Sequence, residues 1–223
     1  MNYVMVKRLV LKDWYLQRYT IIVSLAGGAV SLGIIATGGN AAFFFGLILL
    51  ITALIAMGAQ LAISTIVTER KEQTLAFVMS LPISYREYTA SKILGNLIIF
   101  LVLWLSMVTA SMSLLLYAPK THGLVPYTAI MATEILLGVC VTLAAALISE
   151  SQGWTIAAIM VGNLAVNGVG FWVAHIGSIA RGMWGSSVQW TPAASVLLFS
   201  EFLLVILLIV FTFFLQSRKR DFL

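Results

Sequence analysis

Six apolar runs, each long enough to cross the apolar core of a bilayer as a helix, take up most of this chain. A transmembrane helix needs roughly 20 apolar residues and satisfies its own backbone hydrogen bonds in lipid. Only 9% of the residues are charged, against roughly a quarter in soluble domains. The sequence therefore predicts an all-α integral membrane protein without a sizeable soluble domain. The predicted spans are about 19–37, 41–67, 93–117, 125–148, 154–174 and 194–215.

The basic residues predict how these spans are oriented. Eleven of the 13 Lys and Arg residues lie in residues 1–18, in the segment 68–92 and in the C-terminal tail, whereas two lie on the opposite side. Under the positive-inside rule, both termini and the segment 68–92 are cytoplasmic. We expect a multi-pass protein of a prokaryotic plasma (inner) membrane. Because the basic residues flank apolar runs and form no single patch, no nucleic-acid partner is expected.

Residues 1–18 mix apolar and basic side chains ahead of the first apolar run. They predict an N-terminal interfacial helix in contact with membrane lipids. The side chains expected to face lipid are those of Met5, Val6, Leu9, Val10 and Leu16.

The long charged segment between the second and third spans, residues 68–92, predicts a short helix followed by a cap. Proline disfavours helix in the residue before it, so Pro82 predicts that this helix ends near Leu81. Ser84 and Glu87 have the spacing of a capping box, which predicts a new helix that leads into the third span.

The short helix has apolar side chains on more than one side. Leu75, Val78 and Met79 share one face, while Phe77 and Leu81 lie on another. Such a helix must be covered on more than one side. The second face either contacts a cytoplasmic partner, with the charged residues before it as a polar rim, or enters the bilayer surface.

The chain resembles the type-2 class of ATP-binding-cassette (ABC) exporter permeases, in its layout and in the segment 68–92. The residues that carry the resemblance are Glu69, Arg70, Glu72, Thr74, Leu75, Ser80, Leu81, Pro82, Ile83, Ser84, Glu87 and Lys92. The resemblance implies that the short helix is a coupling helix, seated in a groove of a separate cytoplasmic ATPase. The residues expected at that docking site are Glu69, Arg70, Glu72, Leu75, Phe77, Val78, Leu81 and Pro82.

The same resemblance implies the assembly and the cargo. Two permease chains, alike or unlike, pair in the membrane, and two ATPase subunits carry the ATP and Mg²⁺, with no cofactor on this chain. The segment 175–193, with Trp184 and Trp190, would match re-entrant helices on the outer side. The expected activity is export of a hydrophobic or amphipathic compound, such as a peptide, a lipid or a drug.

Four polar residues inside predicted spans are candidates for a substrate pathway. Glu134 lies about nine residues, or roughly 13 Å, into the fourth span, and Glu201 lies at a similar depth in the sixth. Intramembrane carboxyl groups usually face a bundle interior or a cavity; alternatively, they are protonated or paired with Lys120 or Arg181. Asn163 and Asn167 share one face of the fifth span, where they either bond to another helix or line a pore.

The sequence favours no other class of activity. It contains no phosphate-binding Gly-Lys-Ser or Gly-Lys-Thr loop, no Gly-x-Ser-x-Gly elbow and no His-Glu-x-x-His motif. We therefore predict no catalytic residue and no metal site on this chain. The alternative function is an ion- or proton-coupled secondary transporter or channel that uses Glu134 and Glu201.

Overall fold

The structure is a computed structural model that describes residues 3–37, 40–71, 84–117, 119–183 and 185–218. These residues form helices and short connections, and none of them lies in a strand. The α-helices are α1 (Tyr3–Leu16), α2 (Arg18–Ala36), α3 (Asn40–Ala62), α4 (Thr68–Lys71), α5 (Tyr85–Tyr117), α6 (Val125–Ser149), α7 (Gln152–His175), α8 (Gly177–Met183) and α9 (Pro192–Arg218).

Six of these helices, α2, α3, α5, α6, α7 and α9, are long and apolar enough to cross a membrane. They confirm the predicted all-α membrane architecture and make the chain a multi-pass membrane protein. The fourth span, α6, is the centre of the bundle, since it packs against α3, α5, α7 and α9. About 72% of this span is buried, whereas 44% or less of every other span is. The outer spans therefore present most of their apolar side chains to lipid or to another chain.

The third span begins earlier than the apolar run alone predicts, because α5 begins at Tyr85 rather than near residue 93. The capping box is the reason. The Ser84 N–H donates to Glu87 Oε2 at 2.9 Å, and the Glu87 N–H donates to Ser84 Oγ at 3.3 Å. Both bonds predicted from the spacing are present, and the helix continues without a break into the membrane-spanning segment.

The second span changes its helical geometry at its end. A π-helical turn, Ile63–Val67, connects α3 to the single turn of α4. Such turns are uncommon and are found frequently at functional sites, because the inserted residue widens the helix and frees backbone groups. This turn lies directly before the segment that was predicted to dock a partner.

The N-terminal helix α1 packs against protein, which corrects the expected lipid-facing side. Val6 and Leu9 are 5% and 9% exposed, and α1 makes its main contacts with α5. Gly95 of α5 lies at this contact, where a Cβ atom would be at an ordinary contact distance, 3.9 Å, from the Val10 Cα. Leu16, by contrast, is exposed. The apolar stripe of α1 covers the third span, so it is a tertiary interface.

On the side opposite α1, two short segments close over each other. The 3₁₀ helix Pro119–Leu124 meets the stretch after α8, where the Gly123 N–H donates to Gly185 O at 3.0 Å. His122 bonds through Nδ1 to Ser186 O, at 3.0 Å. A Cβ atom on Gly123 would collide with Gly182 O, so only glycine permits this contact. Trp184, expected in a re-entrant segment, lies outside the described residues.

The centre of the bundle is held by close packing between the second and fourth spans. A Cβ atom on Gly58 would lie 2.3 Å from Val139 Cγ2, so the glycine lets α3 approach α6. Two side chains from other spans bond to backbone carbonyls of α6. Trp104 Nε1 donates to Ala132 O at 2.8 Å, and Gln216 Nε2 donates to Leu147 O. These bonds fix the third and sixth spans against the fourth.

Candidate functional site: a charge cluster and an intramembrane acidic pair

Five side chains form a cluster of charges on the side of the bundle that carries α1. This charge cluster consists of Lys12, Asp13, Glu69, Tyr88 and Lys92. Lys92 Nζ lies at its centre, 3.0 Å from Asp13 Oδ2 and 2.8 Å from Glu69 Oε2. Lys12 Nζ contacts the other Glu69 oxygen, also at 2.8 Å, and the Tyr88 hydroxyl donates to Glu69 at 3.4 Å.

The cluster joins three elements that are distant in sequence. Asp13 is on α1, Glu69 is on α4 and Lys92 is on α5, so the cluster ties the N-terminal helix to both sides of the segment 72–83. The side chains of Asp13 and Lys92 are each 2% exposed, and that of Glu69 is 12% exposed. Since breaking a buried ion pair leaves a charge unpaired in a desolvated site, this joint resists separation.

The local environment affects the two carboxyl groups differently. Burial alone would raise the pKa of Glu69, but the adjacent Lys92 and Lys12 outweigh it and hold that pKa below its usual value. Burial raises the pKa of Asp13, and the attraction of the same two lysines offsets this only in part. Glu69 is therefore the firmly ionised partner of the lysines.

A second set of side chains, with amide and hydroxyl groups, surrounds the π-helical turn. We call it the polar collar; it consists of Gln17, Ser64, Thr65 and Asn96. Gln17 Nε2 donates to Ser64 Oγ at 2.8 Å, and Asn96 Nδ2 donates to Thr65 Oγ1 at 2.9 Å. The end of the second span is thus held from both sides, by the α1–α2 junction and by α5.

The structure places the predicted docking residues only in part. Glu69 belongs to the charge cluster, where its carboxylate faces Lys12 and Lys92. The side chain of Arg70 and all of Glu72, Leu75, Phe77, Val78, Leu81 and Pro82 lie outside the described residues. Docking by this set stays a prediction.

The other predicted site residues fall into two groups. Glu134 on α6 and Glu201 on α9 are 7% and 6% exposed, and they lie on helices that pack together. We call these two the acidic pair. Asn163 and Asn167 on α7 are exposed, and Asn167 Nδ2 donates to the Asn163 carbonyl at 2.8 Å. The asparagines therefore bond within their own helix in this chain, and their outward faces are available.

Sequence reasoning missed the charge cluster and the polar collar. One signal for the cluster was present, because Val6, Leu9 and Asp13 recur at intervals of three and four residues. That spacing places Asp13 on the apolar stripe of α1, where an unpaired carboxylate would be costly. An acidic residue in such a position indicates a basic partner on the helix it covers, although the pattern does not say which.

The model of a family described as "ABC-2 family transporter protein" matches residues 8–219. The chain belongs to this family. No curated protein and no solved structure matches it significantly. The match covers α1 from residue 8 onwards, all six spans and both sites described above.

Membership in the ABC-2 family explains why the chain is almost entirely membrane helix. It is a transmembrane permease subunit of an ABC transporter, and it works with an ABC ATPase subunit. Among the described residues, no group of three or more His, Cys, Asp and Glu side chains is placed to hold a metal ion.

Proposed function

We propose that this ABC-2 permease exports a hydrophobic or amphipathic compound, and that it receives the work of ATP hydrolysis through the segment 72–83. The observation that carries the proposal is the charge cluster. Glu69 and Lys92, on either side of that segment, are joined at 2.8 Å. A displacement applied to the segment would therefore act on α4 and α5 together rather than spread them apart.

The N-terminal helix takes part in this motion. Lys92 also binds Asp13, so α1 must move with α5 unless a buried ion pair breaks. The π-helical turn Ile63–Val67 is the adjacent point at which the second span changes geometry. We infer that ATPase closure shifts α1, α4 and α5 as one body, and that this body rocks against the remaining spans.

The proposed orientation places this side of the bundle in the cytoplasm. The support is the charge distribution, with eleven of the 13 basic residues on the side of α1 and of the C-terminal tail. Two ATPase subunits on the cytoplasmic side of the membrane would then bind ATP and Mg²⁺, and this chain would bind neither.

We propose that two permease chains pair through the fifth span. Asn163 and Asn167 expose polar groups on α7, where lipid contact would be costly and a second chain would satisfy them. The test introduces Asn167→Cys and measures disulfide crosslinking in membranes; the single native cysteine, Cys140, is buried. A crosslinked homodimer supports pairing of like chains. If Asn167→Cys crosslinks neither to itself nor to a co-expressed sister permease, this interface is wrong.

The docking proposal is tested with the complex itself. We would purify the chain in nanodiscs with the ATPase encoded nearest to it, and measure association and ATP hydrolysis for wild type and for Phe77→Asp/Leu81→Asp. The control is Val188→Asp, which adds a charge at an exposed position on the opposite side. We expect the double variant to lose association and stimulated hydrolysis, and the control to keep both.

A double variant that binds and stimulates the ATPase like wild type would refute docking through this segment. The rim is tested separately, with charge reversal at Arg70 and Glu72. Glu69 belongs to the charge cluster, so reversing its charge should destabilise the isolated permease. We therefore exclude Glu69 from the rim test. If no candidate ATPase associates at all, the ion-coupled transporter becomes the better hypothesis.

A further inference from the structure

The acidic pair brings together two carboxyl groups from spans that are far apart in sequence. Glu134 lies on α6 and Glu201 on α9, and the two helices pack against each other. Glu134 is close enough for its charge to act on Glu201. Both side chains are more than nine-tenths buried, so two acidic groups lie desolvated on packed helices of the membrane domain.

One oxygen of this pair has no partner. In the part of the chain that the structure describes, Glu201 Oε2 is the buried side-chain atom that lacks any hydrogen bond. A buried polar atom without a partner is rare in folded proteins and requires an explanation. A carboxylate in such a place is stabilised only by a cation or a proton.

Arg181, a basic residue on the same side, does not supply that cation. It is exposed, and its Nε donates to Gly177 O within its own short helix. The side chain of Lys120, which precedes α6, lies outside the described residues. Among the described residues, neither carboxyl group of the acidic pair forms an ion pair. The positive charge that balances a carboxylate here, a cation or a proton, therefore comes from outside the described residues.

The surroundings decide which kind of cation fits. Ile130 and Val205, one helical turn from Glu134 and Glu201, are 0% and 6% exposed, so each glutamate has a buried apolar neighbour along its own helix. Ca²⁺ and Mg²⁺ need about six oxygen ligands, many more than two carboxyl groups provide. A monovalent organic cation with an apolar body matches both the charge and the walls.

We propose that Glu134 and Glu201 form one binding site for a lipophilic organic cation, and that this is the class of compound the permease transports. That the compound is transported rests on the proposed function; that it binds does not. The cationic group would take the place beside Glu201 Oε2, and the apolar body would contact the spans around it. The helices must separate slightly to admit it, as expected for a site that opens in one state of a transporter.

The probe is tetraphenylphosphonium, with tetraphenylborate as an anion of nearly the same size and shape. The full chain is placed in phosphatidylcholine nanodiscs, and the binding of each ion is measured against empty discs. We expect wild type to bind the cation and to bind the anion no better than empty discs do. Because the cation would lose a desolvated charge partner, Glu201→Gln and Glu134→Gln should each weaken its binding by about tenfold or more.

Matched variants separate charge from packing. Glu201→Asp keeps the charge and should keep the preference for the cation, while Glu150→Gln removes an exposed carboxyl group at the other end of α6 and should change nothing. Glu201→Gln removes a charge that has no described partner, so the fold should tolerate it. If the cation binds no better than to empty discs, or binds Glu201→Gln and Glu134→Gln as it binds wild type, the inference is overturned. The acidic pair is then a proton site only.

The same discs distinguish this inference from the proposed function. In the proposed function, ATPase association depends on the segment 72–83, whereas the acidic pair belongs to α6 and α9. If the ATPase associates and hydrolyses ATP, but cation binding is unchanged in Glu134→Gln and Glu201→Gln, the inference fails and the docking proposal stands. If the cation binds through the glutamates and no ATPase associates, the docking proposal fails and the cation site stands.

Discussion

Replacing Lys92 by methionine should destabilise the permease more than any other single change to its charges. Methionine keeps the length and the apolar stem of the side chain but removes the ammonium group that binds Asp13 and Glu69. Two carboxylates then share the more exposed ammonium group of Lys12, in a site where the side chain of Asp13 is 2% exposed. Removing one partner of a buried ion pair costs about 3–5 kcal/mol. For a chain of this length that corresponds to a Tm lower by roughly 6–20 °C.

The assay is thermal unfolding of the isolated chain in nanodiscs, followed by intrinsic tryptophan fluorescence. Lys7→Met is the matched control, because Lys7 is exposed on α1. Its Tm should stay within about 2 °C of wild type, as surface charges contribute little. Adding Asp13→Asn to Lys92→Met removes the buried carboxylate that has lost its closer lysine and should recover part of the loss. If the Tm of Lys92→Met equals that of the Lys7→Met control, the claim that a buried charge cluster stabilises the permease is wrong.

Three further predictions test other contacts. Ser84→Ala removes the acceptor of the Glu87 N–H and should lower the stability of the third span by about 1 kcal/mol, seen as a lower Tm. Gly58→Ala should cost about 1–3 kcal/mol through overpacking, and adding Val139→Ala should restore the Tm if that contact is the cause. Because two lysines hold the pKa of Glu69 low, its stabilisation is present above about pH 4.3 and is lost as the pH falls through the lower folded-state pKa. Glu69→Gln should therefore reduce the acid-induced drop in Tm, and an unchanged drop would contradict this assignment.

The capping box shows which local features can be predicted from the sequence. Ser84 and Glu87 are three residues apart, and the two bonds between them involve only side chains and backbone of one turn. Nothing distant has to be known for such a motif. The early start of α5 follows from it, and the apolar run alone did not predict that start.

The charge cluster shows where such reasoning stops. Asp13 and Lys92 are 79 residues apart, and their contact depends on α1 lying along α5. An interfacial helix was predicted, but its apolar stripe was assigned to lipid, because a stripe of apolar residues fits a bilayer surface and a protein surface equally well. Only the packing of α1 against α5 in the folded chain decides between them.

The amino-acid sequence by itself determined the class of protein, the number of spans, the capped start of the third span and the family resemblance. These follow from length, apolar content and short-range spacing, which do not depend on packing. The tertiary structure decided which polar groups meet. The depth of Glu134 and of Glu201 can be counted along each span, whereas their meeting depends on how each helix is rotated about its axis. Side-chain packing across the bundle sets that rotation, and no single span contains this information.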